Sequence, residues 1–134
     1  MRVSGQDQTQ YVVYWDGVDD EMRRTWADQE EATEYGAYCI AFLLMHKLRG
    51  MISIERSRKE NGFDYWIGIR DDSPDLFQKK AVLEVSGIRT GTASSRTQRL
   101  NEKITRLQKY KRVLPAVVVV VEFGTPESAI AEMR

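Results

Sequence analysis

One cysteine, Cys39, and one histidine, His46, occur among 134 residues. The lone cysteine excludes a disulfide framework and a cysteine-based zinc site within one chain. With one histidine, Ser-His-Asp and Cys-His hydrolysis have almost nothing to draw on. Net charge is also missing: 20 basic side chains balance 20 acidic ones. No global field draws the chain to nucleic acid or an anionic membrane, so any such binding must come from a local patch. Long hydrophobic runs are absent as well. The longest, Ala37 to Met45 and Ala116 to Val121, are too short to cross a bilayer. The polar first ten residues lack the apolar centre of a signal peptide. These absences predict no membrane partner and a reducing, cytoplasmic setting. No Gly-rich phosphate loop or dinucleotide fingerprint occurs, which disfavours a nucleotide-dependent small-molecule enzyme.

What is present is ordinary in bulk, 42% hydrophobic and 30% charged, and long enough to close one core. The expected domain plan is a single unit, with residues 1–18 as an N-terminal arm, 19–123 as the core and 124–134 as a C-terminal extension. Residues 1–10 read as a loose terminus, and Tyr11 to Trp15 as a short strand or an irregular arm packed on the core. Asp19 to about Leu48 has a helical pattern, acidic at its start, basic at its end and stopped by Gly50. Its length predicts a break near Asp28 or Gly36. A meander of three strands follows, over Met51–Arg56, Phe63–Ile69 and Ala81–Ile88, with the Asn61-Gly62 turn after the first. Arg70 to Asp75 reads as a loop and Leu76 to Lys79 as a helical turn. A helix is expected from about Ser95 to Arg112. Ala116 to Phe123 reads as a central strand, buried on both faces and paired in parallel. Thr125 and Pro126 suit the start of a short final helix ending near Met133.

Two carboxylates interrupt the meander. Asp64 and Glu84 each sit among residues that favour burial, where a lone carboxylate costs free energy unless it is paired, protonated or bound to a cation. Side by side they would repel, and a hard cation with oxygen ligands, Mg²⁺ or Mn²⁺, relieves that. Glu34, or less directly Glu31, could reach in from the first helix, and Val85 could add a carbonyl oxygen. Simpler readings stand beside this one. Glu84 could form an ion pair with Arg56 or Lys103, and Asp64 could cap a turn or accept from a tyrosine or tryptophan. Arg96, Arg99, Lys103 and Arg106 recur at steps of three and four, forming one basic helix face. That face is either solvated or, with Arg89 in the preceding Thr/Ser-rich loop, a track for phosphates.

The order helix, three strands, helix, strand, with an acid on the second strand and Glu84-Val85-Ser86 on the third, resembles the PD-(D/E)XK nuclease superfamily. The resemblance covers roughly residues 20–123. It implies a restriction-endonuclease-like α/β fold, with an αβββαβ core whose mixed central sheet is flanked by helices. It also implies a Mg²⁺- or Mn²⁺-dependent phosphodiesterase acting on DNA, in DNA processing or defence. Asp64, Glu84, Glu34 and Val85 would hold the metal. The departure is Ser86, which stands where the family carries lysine. Serine keeps a donor but no charge, so Lys80 or Lys59 would have to replace it. The alternative is a non-catalytic interaction subunit of the same fold, binding a protein partner or a second copy through its aromatic N-terminal arm or a valine-rich sheet edge.

Overall fold

The computed structural model describes residues 1–5, 8–70 and 77–134 of the chain. Its elements in order are strands β1 (Arg2–Ser4) and β2 (Thr9–Gln10), helices α1 (Asp20–Thr25) and α2 (Gln29–Arg49), and strand β3 (Ile52–Arg56). A 3₁₀ turn over Lys59–Asn61 precedes β4 (Tyr65–Arg70) and β5 (Phe77–Ile88). Helix α3 (Ala93–Gln108) and strands β6 (Ala116–Glu122) and β7 (Glu127–Met133) complete the chain. This is a mixed α/β architecture built on one seven-stranded sheet of order β2-β1-β7-β6-β5-β4-β3. No described helix is long and apolar enough to cross a membrane.

The long helical segment does break, and at Asp28. Its side chain accepts from the Glu31 backbone N–H at 3.0 Å, starting α2 afresh, as an N-cap aspartate does. Gly36 runs through without interruption, and Gly50 ends α2 with φ +64°. Asp19 caps α1 in the same way. Thr92 and Ser95 form a reciprocal capping box that starts α3 slightly before, and ends it sooner than, the spacing suggested,.

β6 is the fully buried central strand expected of the valine run, parallel to β5 in register Glu84↔Val118. Its position corrects one expectation: the run lies between β5 and β7, so it offers no sheet edge. Residues 127–133 form no helix but strand β7, antiparallel to β6. Burial explains the change, since Ser128, Ala129 and Ile130 cover the second edge of β6 and that hydrogen-bonding edge outweighs a local helix start,. The loose terminus is also corrected. Arg2 to Ser4 pair in parallel with β7, and Val3 is buried. Tyr11 to Trp15 are the irregular arm, not a strand. Phe77 to Lys79 belong to β5 rather than to a helical turn, and Leu76 and Asp71 to Asp75 lie outside the described residues.

Helices α2 and α3 take opposite faces of the sheet. α2 packs Ala37, Tyr38, Ala41, Leu44 and Met45 on the face carrying Leu83, Val85, Val117 and Val119. α3 packs Leu100, Ile104 and Leu107 on the face carrying Val82, Val118 and Val120. Strand alternation therefore sends Glu84 and Ser86, which share parity with Val82, toward α3. Gly87 lets α2 approach: a Cβ there would meet the Thr33 carbonyl oxygen at 2.7 Å.

Candidate metal and phosphate cleft

β4 pairs with β5 in the register Tyr65↔Leu83. One residue earlier the chain leaves the sheet, and that residue is Asp64. It stands immediately before the strand rather than within it, opposite Glu84 by register. Its backbone N–H still donates to the Leu83 carbonyl at 3.0 Å. The 3₁₀ turn and Gly62, at φ +79°, bring the chain to this point in place of a tight Asn-Gly hairpin.

Freed from the ladder, the Asp64 side chain turns along the sheet edge. Its Oδ2 accepts from the Val85 N–H at 2.8 Å, and its Oδ1 from the Tyr38 hydroxyl at 3.3 Å. Because a strand residue's N–H and C=O point to the same side, the Val85 carbonyl also faces the gap that β4 vacates. Tyr38 donates to Glu34 Oε1 as well, at 2.8 Å. A hydroxyl has one proton, so the two carboxylates share one donor. Glu34 is thus brought near Asp64 but separated from it by the tyrosine oxygen. Glu31 is exposed at the start of α2 and lines no part of the cleft.

Glu84 is 5% exposed and faces Lys103 of α3, whose Nζ lies 3.1 Å from its Oε1. Of the two simple pairings weighed for it, Lys103 is the one formed. Arg56 lies instead over the rings of Tyr38 and Tyr65, at 5.0 and 4.8 Å. Burial raises the Glu84 carboxyl pKa, and the charge of Asp64 raises it further, against the opposing pull of Lys103 and Arg106. Burial also raises Asp64, opposed by the Val85 N–H and by Arg56, Lys103 and Tyr38. The Tyr38 hydroxyl is raised by burial and by its two acidic neighbours. Repelling, partly desolvated carboxylates are the state a bound cation would relieve.

Two clefts meet here and share Glu34, Val85 and Lys103 on their walls. One, of about 650 Å³, holds Tyr38, Asp64 and Glu84, with Arg56, Arg58, Lys59 and Arg106 around it. The other, of about 570 Å³, continues past Ser86 and Gly87 to Arg89 and Arg99. Cations therefore stand on both sides of the carboxylates. The basic face of α3 divides by partner. Arg99 donates to Ser86 Oγ at 2.7 Å, and Lys103 to Glu84. Arg106 is on the cleft wall. Arg96 lines neither cleft: it sits 2.5 Å from Glu127 and donates to Thr125 Oγ1 at 3.2 Å, tying α3 to β7. Arg89 donates to Gln29 Oε1 at the cleft rim.

The two replacements expected for the absent lysine fare differently. Lys59 reaches the cleft wall. Lys80 does not: it occupies a bulge in β5 opposite Ile67 and Gly68, and neither cleft includes it. The lysine beside Glu84 is Lys103, expected only as a phosphate contact or an ion-pair partner. Its i, i+4 relation to Arg99 matches the i, i+2 relation of Glu84 and Ser86 across the helix–sheet contact, roughly 6 Å against 6.6 Å by rise. That matched spacing is a signal the sequence carried. Tyr38 was missed as a site residue, and Arg56 was weighed only as an ion-pair partner of Glu84. Tyr38 is four residues after Glu34, the spacing of a helix-face pair, and could have been found that way.

Oxygen donors alone suit Mg²⁺ or Mn²⁺, which commonly take one or two carboxylates plus water and substrate phosphate. Asp64, Glu84 and the Val85 carbonyl are oxygen donors of that kind. Among the described residues, no group of three His, Cys, Asp or Glu side chains is arranged to hold an ion. No family model, curated protein or solved structure matches this chain.

Proposed function

We propose that the chain is a divergent PD-(D/E)XK-like, Mg²⁺- or Mn²⁺-dependent phosphodiesterase acting on DNA, working in a cytoplasmic setting. One observation carries the reading: Asp64, its carboxylate on the Val85 N–H at 2.8 Å, and Glu84, with Lys103 at 3.1 Å, line one cleft where β4 leaves β5. Asp64, Glu84 and the Val85 carbonyl would hold the ion. When bound, it supplies charge stabilisation at the phosphoryl oxygen and a water that ionises near neutral pH.

The chain's own groups do the rest. Tyr38 orients Asp64 through its hydroxyl, and the Val85 N–H fixes the other carboxylate oxygen. Lys103 keeps a positive charge beside Glu84, where it can meet a non-bridging phosphate oxygen and so replace the charge that Ser86 lacks. Arg99, held by Ser86, and Arg89 bind phosphates on one side of the scissile position. Arg58, Lys59 and Arg106 bind them on the other. A cleavage assay on single- and double-stranded DNA, with and without Mg²⁺ or Mn²⁺, tests this. Activity should require the metal and vanish in Glu84→Ala. Absence of both cleavage and metal binding by calorimetry overturns it.

A second reading, the non-catalytic interaction subunit, is favoured by the exposed aromatics of the N-terminal arm, Tyr14 and Trp15. It takes over if metal binds nowhere and no DNA is cut.

A further inference from the structure

Helix α2 is apolar on more than the face it packs against the sheet. Its outward ridge runs Glu31, Tyr35, Cys39, Leu43, Lys47 at steps of four, all exposed. Leu43 is 59% exposed, and Tyr35 is only half covered, by its ring contact with Trp26 at 5.6 Å. The N-terminal arm runs alongside and leaves Tyr14 and Trp15 88% and 78% exposed. Between arm and helix lies an apolar groove of about 760 Å³, with Trp15, Gly36, Cys39 and Leu43 on its walls.

We infer that this face is an isologous interface, on which a second copy of the chain packs its own α2 antiparallel across a two-fold axis near Cys39. Three observations select a second copy as the occupant. First, the ridge is charge-complementary to itself. It starts with Glu31 and ends with Lys47, about 24 Å apart by helix rise. An antiparallel partner at a shallow crossing sets each Glu31 beside the other copy's Lys47, and opposes the helix dipoles favourably. Second, projection and hollow share one patch. The Trp15 side chain stands next to the groove that a copy's Trp15 would enter, as a two-fold contact requires. Third, the area is right. Tyr14, Trp15, Trp26 and Tyr35 leave on the order of 500 Å² of aromatic side chain in water. Val12 and Leu43 bring the patch toward the ~800 Å² that each partner buries in a standard interface. A patch of that size is uncommon on a monomer, and a chain of zero net charge has no overall repulsion against its copy.

The test uses the full chain. Sedimentation velocity should give a concentration-dependent dimer, and Leu43→Glu should return it to a monomer that melts as the wild type does at concentrations too low for it to dimerise. Glu31→Lys and Lys47→Glu should each weaken the dimer by about tenfold, because each puts like charges together at both symmetric contacts. The double variant, or an equimolar mixture of the two single variants, should restore wild-type affinity. A charge reversal of the same size on the opposite side of the molecule, Glu102→Lys on α3, should leave the dimer unchanged, which separates paired contacts from a general charge effect. A short bis-maleimide should then couple two chains through Cys39, the only thiol. A strict monomer at millimolar concentration overturns the inference. So does a dimer indifferent to Leu43→Glu, a dimer that does not couple through Cys39, or a monomer that holds an unrelated protein on this face.

Discussion

Two glutamates lie buried on neighbouring parallel strands, and their surroundings give them opposite chemistry. Glu122, at the end of β6, is fully buried, yet its carboxyl is held below the ordinary range. Burial works against that. The N–H groups of Gly91 and Thr125, at 2.7 Å each, and the Thr125 hydroxyl, at 2.8 Å, overcome it with help from the charge of Arg96. Glu84, on β5, has Lys103 as its close partner and Asp64 as a repelling neighbour, and its carboxyl is raised. A buried carboxylate with its acceptors filled is a clamp, here joining the β5–α3 loop to the β6–β7 turn. Glu84 stands at a cleft wall beside a second carboxylate, with one lysine as its ion-pair partner.

The sharpest way to break this comparison is at Lys103. Lys103→Met should lower metal-dependent cleavage by about 10³-fold, roughly 4 kcal/mol of transition-state stabilisation. It should leave calorimetric metal binding present, because the carboxylates remain. If cleavage is unchanged, Lys103 has only a pairing role. Glu122→Ala should act on the other side of the comparison. It strands three donors and should cost about 3 kcal/mol in a urea melt, with cleavage per folded molecule unaltered.

Acidity distinguishes the two residues next. Glu122, lowered in the folded state, stabilises above the ordinary carboxylate pKa and loses that contribution as pH falls through its lowered value. Asp64 and Glu84, raised in the folded state, do the reverse. Their contribution is complete below the ordinary carboxylate value and is lost as pH rises through their raised ones. Asp64→Asn should therefore raise the melting temperature at pH ~7 by a few degrees and leave it nearly unchanged near pH ~4. Asparagine still offers an oxygen to the Val85 N–H. A lower melting temperature at neutral pH would mean that the aspartate is a satisfied structural group. The smallest expected effect is Arg96→Met, which removes the Glu127 pair. It should cost about 1 kcal/mol or less in the same urea melt and leave DNA affinity unchanged, whereas Arg99→Met should weaken DNA binding.

Much of this was legible from local chemistry. Asp28 stops and restarts a helix because its side chain caps the next turn, and Val117 to Val121 read as a central strand because no face of the run is polar. The reading of residues 127–133 as a helix came from the same local chemistry and was overruled. The open edge of β6 needed hydrogen-bonding partners, and no short-range pattern reports that need. Val3 in the sheet, and Lys103 rather than Lys80 beside Glu84, were hidden for a related reason. Each contact joins residues distant in sequence, and a bulge at Lys80 broke the strand parity on which its placement relied.

By itself, then, the sequence determined the helical segments with the break at Asp28 and the stop at Gly50, the meander, the buried valine strand and the presence of two carboxylates among apolar residues. Period and capping are properties of neighbours along the chain. Only the tertiary structure decided which strands meet, which cation answers Glu84, and that Glu122 is held by three donors while Glu84 is held by one lysine beside a second carboxylate. Those outcomes depend on sheet order and on α3 lying over β5, and they set the two glutamates' different charge environments.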